Sequence, residues 1–441
     1  MSPRQIPVQN HPIHRATRWL LLALASCPCL IAHAESLNDA WAMAMNADGT
    51  LAAARSEREA AESDHTAAAR QRWPSVDVTG GYTEFQHAPS LDISTPAGQL
   101  QARIWRNDGY AMAGADVSVP LWTAGRISGG IAAAAAGLRG AGAQEMRSAA
   151  DLKLAVAEAY IAVFRARKAL QVAESNVMSL GAHVDAVQAM YDKESAPRSD
   201  LLAAQVSLAN ATQQRLRAAN AVHLASAAYN RWVGQPLDRT PDLDEPSRLP
   251  AAATDSLDQL VTSALDRRPE LAAISAQQES LEQMARTERA QSLPQIALHA
   301  GYYHLDNQIL DRENFASVGI GFQWRLFDSG QVAARTSALR SRAHAAALRA
   351  ADLKSLVRLE VETAFYNRDE ALARVRAAAG GVAQAEENVR IAKELYRTGL
   401  GTNNQVLDAE SLRIIANTNR DDAAFDVTLA QYRLRRAAGE L

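Results

Sequence analysis

In this chain of 441 residues, catalysis or metal binding would depend on histidines, cysteines or a known enzyme motif. The sequence contains no phosphate-binding P-loop, dinucleotide glycine fingerprint, HExxH pair or nucleophile elbow. The histidines that follow residue 34 are scattered, without the spacing typical of a metal site. They are His65, His87, His183, His223, His299, His304 and His344. The sequence therefore predicts no catalysis and no metal or cofactor site.

The two cysteines, Cys27 and Cys29, lie in an amino-terminal segment with the pattern of a targeting signal. Two arginines precede an apolar run at 19–32, which is shorter than the roughly 20 residues of a membrane-spanning helix. A small-x-small cleavage pattern follows and ends at Ala34. We predict a signal peptide over residues 1–34 and a mature chain without a thiol.

Cys27 allows a different end to this segment. Leu24-Ala25-Ser26-Cys27 resembles a bacterial lipoprotein box, in which the cysteine becomes the acylated first residue. Pro28 directly after the cysteine is unfavourable for that interpretation. We prefer cleavage after Ala34 and keep lipidation of Cys27 as the alternative.

Charge and composition restrict the partners and the fold. The formal net charge of −3 argues against a nucleic-acid partner, because such proteins usually carry a basic surface. Aromatic residues make up 5 % of the chain and alanine dominates the apolar fraction, which favours long, closely packed helices. No apolar stretch after residue 34 approaches the length of a transmembrane helix. An exported chain of this kind is soluble or crosses a membrane with strands.

One sequence unit occurs twice in the chain. Matching residues are 220 positions apart up to Tyr82 and 205 positions apart from Leu121 onwards. The first strand pair therefore contains 15 extra residues, and an exposed loop between the two strands is the simplest place for them. We predict two structural repeats, 35–234 and 256–441, joined by a proline-rich linker at 235–255. The matching pairs include Ser36/Ser256, Pro74/Pro294, Tyr82/Tyr302, Leu121/Leu326, Tyr191/Tyr396 and Gly234/Gly439.

Four segments alternate between apolar and polar or small residues, which is the period of a β-strand. We predict strands at 74–85, 110–121, 294–304 and 315–327, each about the 9–11 residues needed to cross a bilayer when tilted. Their apolar face would cover a core in a soluble sheet or meet lipid in a membrane barrel. Aromatic residues near the strand ends, Trp122, Phe327 and Tyr110, suit a membrane interface, although each alone fits ordinary core packing.

Two proline-free stretches predict very long helices, at about 126–193 and 329–398. A helix of that length measures about 100 Å. Shorter helical segments at 49–72 and 199–232 together have nearly the length of one long helix and can run beside it. The chain is therefore predicted to be mainly α-helical, with a small β part.

Over residues 36–439 the sequence resembles the outer-membrane efflux protein family, the trimeric TolC-type exit ducts of Gram-negative bacteria. The duplication carries the resemblance, together with PLWTAGR at 120–126, RLFDSGQ at 325–331 and YRTGLGTNNQVLDAE at 396–410. The resemblance implies a homotrimer in which each chain contributes four strands to one twelve-stranded barrel. This barrel would span the outer membrane and contact its lipid. The barrel would continue as a long periplasmic α-helical barrel that receives cargo from a periplasmic adaptor and an inner-membrane pump.

The same resemblance implies roles for residues at the two helix-hairpin tips. Tyr396, Asp408 and Asp200 fall on the family's channel-gate positions, where three copies of an aspartate would form a ring that favours cations. Gln405 stands where the family often has a second aspartate, and so a double acidic ring stays open. The tips themselves would contact the adaptor through Arg397, Gly399, Leu400, Gly401 and Thr402 in the second repeat and Ser195 and Pro197 in the first.

We weigh two other functions against a passive outer-membrane channel. A soluble periplasmic coiled-coil adaptor or scaffold without a pore would use the same helices and place the apolar strand faces on a core. A channel for secreted protein would share every feature of an efflux channel, because the inner-membrane pump selects the cargo. The sequence alone leaves the cargo and the pump open.

Overall fold

The computed structural model describes residues 34–96, 98–105, 107–245, 256–307 and 309–441. Residues 1–33 of the predicted signal peptide, with Cys27 and Cys29, and linker residues 246–255 lie outside these ranges. In chain order the elements are α1 Leu37–Ala47, α2 Gly49–Arg70, β1 Ser75–Glu84, β2 Ser90–Thr95, β3 Gly98–Arg103, β4 Gly109–Trp122, α3 Arg126–Asp192, α4 Arg198–Val233, α5 Leu257–Arg267, α6 Pro269–Ala290, β5 Gln295–Leu305, β6 Asn314–Gln323, α7 Gln331–Ala378, α8 Gly381–Arg397 and α9 Asn403–Ala437.

Four strands form one antiparallel sheet in the order β1-β4-β5-β6. Their register aligns the apolar residues of all four strands on one side, which we call the apolar face, and the polar or small residues on the other, the polar face. One row of the apolar face is Val76, Val117, Ala300 and Val318, and the adjacent row of the polar face is Asp77, Asp116, Gly301 and Ser317. The alternation in the sequence thus becomes a two-faced sheet.

The apolar face is open to the surroundings in the single chain. Val78 is 81 % exposed, Val318 76 % and Phe322 75 %. Among the described residues, no helix packs on this face, and the outer edges of β1 and β6 pair with no strand. A bare apolar face with two open edges is unstable in water and needs another surface to cover it.

A separate hairpin, β2 with β3, interrupts the connection between β1 and β4. The corresponding connection in the second repeat, residues 306–313, is short and contains no strand in its described part. The 15 extra residues of the first strand pair therefore build this hairpin.

The strand ends differ from the sequence prediction at two places. A bulge between Pro120 and Trp122 extends β4 to Trp122 and brings this side chain opposite Ile296. In the second repeat β6 ends at Gln323, so residues 324–327 of the predicted strand are irregular. A bulge changes which residues point to a face, and alternation in the sequence does not reveal it.

Helix α3 has 67 residues and is unbroken, a length of about 100 Å. The prediction of an equally continuous helix at 329–398 is wrong, because α7 ends at Ala378 and α8 begins at Gly381. Two successive glycines at 380 and 381 weaken the helix there, each by up to about 1 kcal/mol relative to alanine. A Cβ on either glycine would meet no atom within 4 Å, and so packing does not require glycine at these positions.

Within the described ranges the helices bury three small cores rather than one large core. The largest joins α1, α3, α4 and α9, with Tyr160, Tyr229 and Val156 fully buried in it. Arg239 of the predicted linker is bound to this core through Glu35. Glu35 accepts hydrogen bonds from the Tyr160 and Tyr229 hydroxyls at 2.9 and 3.0 Å, and an ion pair of 2.6 Å links Glu35 to Arg239.

Candidate functional site

The two helix-hairpin tips, α3–α4 and α8–α9, place the predicted gate and adaptor residues. Each turn needs one residue in the left-handed backbone region. In the second repeat this residue is Gly399, with φ of 75°, and in the first it is Glu194, with φ of 57°. The two turns therefore share a backbone geometry, although only Gly399 adopts it without steric cost.

The second-repeat tip exposes one large apolar side chain. Leu400 is 80 % exposed, while Arg397 pairs with Glu394 at 2.6 Å on the helix surface. Thr402 caps α9, and Gln405 completes the capping box. Gly401 lies close to Leu395, since a Cβ there would come within 2.9 Å of the Leu395 Cβ. The turn is therefore closely packed behind an exposed leucine.

The first-repeat tip is arranged differently. Ser195 is exposed, the neighbouring Ala196 is buried, and Pro197 precedes the first turn of α4 as its N-terminal cap residue. The polar Ser195 stands where the second repeat has Leu400, and the apolar Ala196 that follows it is buried. Of the two described tips, only the second offers an apolar protrusion.

Tyr396 and Asp200 meet across the two hairpins. The Tyr396 hydroxyl donates a hydrogen bond of 3.1 Å to Asp200 Oδ2, and its ring stands edge-on to His183 at 5.6 Å. Asn403 bridges the same groups, since it contacts His183 Nε2 at 2.7 Å and donates to the Asp200 carbonyl at 3.2 Å. We call these four residues the tip latch.

The surroundings of Tyr396 keep its hydroxyl protonated. Tyr396 is 7 % exposed and packs among Val187, Leu201 and Val406. Burial raises the pKa of Tyr396, and the hydrogen bond to the Asp200 carboxylate raises it further, to about 12. The hydroxyl is therefore a stable hydrogen-bond donor at neutral pH.

Asp408 does not belong to the tip latch. Its side chain is exposed, and within the described chain it takes part in no side-chain hydrogen bond or ion pair. The three predicted gate residues thus divide into a bonded pair, Tyr396 and Asp200, and a solvated carboxylate.

A second polar cluster, which the sequence did not reveal, lies beside the tip latch. Glu410 is 1 % exposed, pairs with Lys393 at 2.6 Å and with Arg413 at 2.9 Å, and accepts a hydrogen bond from Ser179. It joins α3, α8 and α9. Its only sequence signal is a position four residues after the buried Val406, which places it on the same helix face.

Opposing effects act on the Glu410 carboxyl. Burial favours its neutral form, but the hydrogen bonds from Lys393 and Ser179 and the charge of Arg413 outweigh burial. The pKa of Glu410 is therefore lower than its ordinary value, and the carboxylate is ionised at neutral pH. The cluster holds the second-repeat hairpin against α3 through charge-assisted hydrogen bonds.

The predicted interface aromatics occupy three different environments. Trp122 ends β4 and is 48 % exposed, on the apolar face, and Phe327 lies beyond β6 and is 84 % exposed. Tyr110 lies opposite Thr83 on the polar face and stacks on Trp105 at 4.9 Å. The side chain of Tyr110 therefore points to the opposite side of the sheet from that of Trp122.

Two further tryptophans lie near the helical end of the sheet. Trp73 is 73 % exposed just before β1, and Trp324 is 50 % exposed just after β6, with its indole N–H donating to the Ser292 carbonyl at 3.1 Å. With Trp122 and Phe327 they surround that end of the apolar face. A band of this kind is typical of the membrane–water interface.

Among the residues that the structure describes, none of the helices combines the length and the apolar character needed to span a bilayer. The four-stranded sheet carries an exposed apolar face that continues across all four of its strands. An amphipathic four-stranded sheet continued by long helical hairpins defines an elongated protein with one lipid-compatible end.

The chain belongs to the outer membrane efflux protein family, whose family model matches residues 42–235 and 260–440. It is 24 % identical over 286 residues to the outer membrane efflux protein BepC of Brucella suis, covering 64 % of this chain and 62 % of BepC. The chain thus spans less than two thirds of that relative. It is also 23 % identical to the outer membrane protein TolC of Vibrio cholerae, over 92 % of this chain and 91 % of TolC.

A solved structure shares this fold. The outer membrane protein VceC of Vibrio cholerae superimposes with a TM-score of 0.78 at 18 % identity, covering 91 % of this chain and 96 % of that chain. The two segments that the family model matches are separated by residues 236–259.

Proposed function

We propose that this protein is the outer-membrane channel of a tripartite export system, through which cargo leaves passively after an inner-membrane pump and a periplasmic adaptor deliver it. The observation that carries the proposal is the continuous apolar face of the sheet, from Val76 on β1 to Val318 on β6. A face of about ten residues per strand matches the height of a bilayer core.

The sheet cannot serve as a pore alone. Within lipid every backbone N–H and C=O needs a partner, and β1 and β6 each leave one edge open in the described chain. Pairing β1 of one copy with β6 of the next closes a barrel, and three copies give twelve strands. Membrane insertion and trimer formation are therefore coupled in this proposal.

The helical part supplies the conduit and its closure. Helix α3, about 100 Å long, and the interrupted pair α7 and α8 continue from the sheet. The far ends of the two hairpins carry the tip latch and Asp408. In a trimer the three solvated Asp408 carboxylates would ring the narrow end and favour cations, while Tyr396 and Asp200 hold it shut. Opening would require these helices to separate.

The adaptor is proposed to engage the tips. Leu400 protrudes from the second-repeat tip as an exposed apolar side chain, which suits burial in a partner's groove. Arg397, Gly399, Gly401 and Thr402 shape that turn. Ser195 and Pro197 would contribute the flatter first-repeat surface. The pump is proposed to select the cargo, as either small molecules or protein.

Membrane fractionation combined with gel mobility tests the proposal. The full-length precursor is expressed in a Gram-negative host, and outer membranes are separated and run with and without boiling. We expect the protein in the outer-membrane fraction, released only by detergent, with a trimer band that boiling converts to monomer. A folded monomer in detergent-free periplasmic extract would instead indicate a soluble scaffold.

A further inference from the structure

The polar face of the sheet changes character towards its outer end, the end away from the helices. Near the helices it carries Asp77, Asp116, Ser118 and His299. The outer half instead carries large apolar and aromatic side chains on the same face by register. These are Met112, Leu305, Tyr303, Phe315 and Tyr110.

Three aromatic rings in mutual contact, those of Phe85, Trp105 and Tyr110, join the base of the β2–β3 hairpin to this aromatic half. Phe85, one residue beyond β1, continues the strand pairing through its N–H to the Asp108 carbonyl at 2.6 Å. Its ring lies 5.0 Å from Trp105 and 5.9 Å from Tyr110. Because Tyr110 lies on the polar face, the hairpin is attached on the side that would line the pore.

The hairpin is itself two-faced. Leu91 and Ile93 point to one side and are 48 % and 41 % exposed, while Asp92 and Ser94 alternate to the other. A two-stranded hairpin with an open apolar side is marginally stable in water. In the single chain about half of each of these two side chains is left exposed.

A trimer offers a surface to cover them. The hairpin follows directly from β1, the edge strand that would pair with the next copy, and so it continues the proposed subunit contact. A twelve-stranded barrel with strands about 4.8 Å apart and tilted by about 40° has a radius of about 12 Å. Each hairpin strand has six residues, a length of about 20 Å, which is enough to reach the barrel axis.

We propose that the three β2–β3 hairpins meet over the outer mouth of the barrel, with Leu91 and Ile93 of each copy packed against those of its neighbours. This contact forms a second constriction, at the opposite end of the duct from the tip latch. The aromatic half of the polar face supports it from below. The inference rests on the proposed trimeric channel.

Cysteine cross-linking tests the proposal, because the predicted mature chain contains no free thiol. On the barrel wall, equivalent positions of two copies are about 20 Å apart, whereas a disulfide requires Cα atoms within about 7 Å. Only hairpins that converge on the axis can therefore be joined. Ile93→Cys carries the thiol on the apolar side, and Ser94→Cys is the matched control one residue away.

Purified detergent trimers of each variant are treated with a mild oxidant and run on a denaturing, non-reducing gel. We expect Ile93→Cys to form a disulfide-linked dimer, in at most about two-thirds of the chains because three thiols allow one pair. Ser94→Cys should stay monomeric. If Ile93→Cys fails to assemble, Leu91→Cys presents its thiol on the same side.

Two outcomes distinguish a failure of the proposed channel from a failure of the proposed hairpin contact. A wild-type protein without a trimer band on the unboiled gel would overturn the proposed channel and this inference with it. A normal trimer in which the Ile93→Cys and Leu91→Cys thiols do not cross-link, or in which Ser94→Cys links equally well, would overturn the hairpin contact alone.

Discussion

The Tyr396 hydroxyl donates a 3.1 Å hydrogen bond to Asp200, and this bond joins α8 of the second repeat to α4 of the first. The two residues are 196 positions apart in the chain. Through Asn403 and His183 the same contact also reaches α9 and α3. The four residues of the tip latch therefore connect all four helices that end at the tip.

Replacing Tyr396 with phenylalanine removes the bond and leaves the ring packing intact. A neutral-to-charged hydrogen bond contributes about 1.5–3 kcal/mol, so we expect the closed state to open more often and its conductance in planar bilayers to rise. Tyr191→Phe is the matched control, since Tyr191 occupies the equivalent position of the first repeat. Equal conductance of Tyr396→Phe and wild type would remove Tyr396 from the latch.

The raised pKa of Tyr396 predicts an alkaline opening. The folded tip holds the phenol protonated up to a pKa of about 12, while an unfolded tyrosine titrates near 10. The stabilisation is complete below about pH 10 and is lost as the pH rises towards 12. Conductance should increase across that interval in wild type. The Tyr396→Phe variant lacks the titrating group, and a similar rise in this variant would contradict the assignment.

Glu410→Gln should destabilise the tip region. The substitution leaves Lys393 and Arg413 without their carboxylate, but both cations are partly exposed, so we expect a loss of about 2 kcal/mol rather than the 3–5 of a fully buried pair. Thermal unfolding of the detergent-purified protein measures it. Asp408→Asn, an exposed carboxylate two residues away, should leave the unfolding temperature unchanged.

Acid should have the same effect on wild type as the Glu410→Gln substitution. Because the folded-state pKa of Glu410 is lowered, its contribution is present above the ordinary glutamate value of about 4.3 and is lost as the pH falls below it. The difference in unfolding temperature between wild type and Glu410→Gln should therefore shrink in acid. A difference that stays constant with pH would exclude the ionised carboxylate as its cause.

The two tip turns should respond oppositely to substitution. Gly399→Ala places a Cβ in the left-handed region and should cost about 1 kcal/mol, whereas Glu194→Gly removes an existing strain and should be neutral or stabilising. Denaturant unfolding of the two variants tests this. Equal destabilisation of both would show that the turns do not share the backbone conformation found here.

Arginine on the two faces of β1 tests which side meets lipid. Val78 lies on the apolar face near the middle of the strand, and Thr79 is its neighbour on the polar face. Val78→Arg should cost about 2–4 kcal/mol of membrane insertion, while Thr79→Arg should insert normally. The trimer band in outer membranes reports insertion. Loss of the band for Thr79→Arg, with retention for Val78→Arg, would reverse the assignment of the faces.

The repeated sheet and the long helices were predictable because each follows a local period. Alternation fixed the faces of Val78 and Val318, and the absence of proline indicated the length of α3. The bulge before Trp122 was not predictable, because one extra residue reverses the facing direction without changing composition. The same limit applies to Tyr110, whose side of the sheet depends on register with Thr83.

The polar cluster around Glu410 shows a different limit. In the sequence Glu410 is an acidic residue in a polar helix, and only the packing of α3 against α8 and α9 buries it. By contrast, the family resemblance located Tyr396 and Asp200 at the two helix-hairpin tips. Their hydrogen bond to each other became visible only in the structure. Interactions between residues about 200 positions apart leave no local pattern.

The interruption at Ala379–Gly380 occurs in only one of the two repeats, since α3 runs through the corresponding region without a break. A closed ring of three such chains would contain three stiff hairpins alternating with three jointed ones. Only three of the six hairpins in the ring could then bend at this point. Such a ring would widen through the bending of every second hairpin.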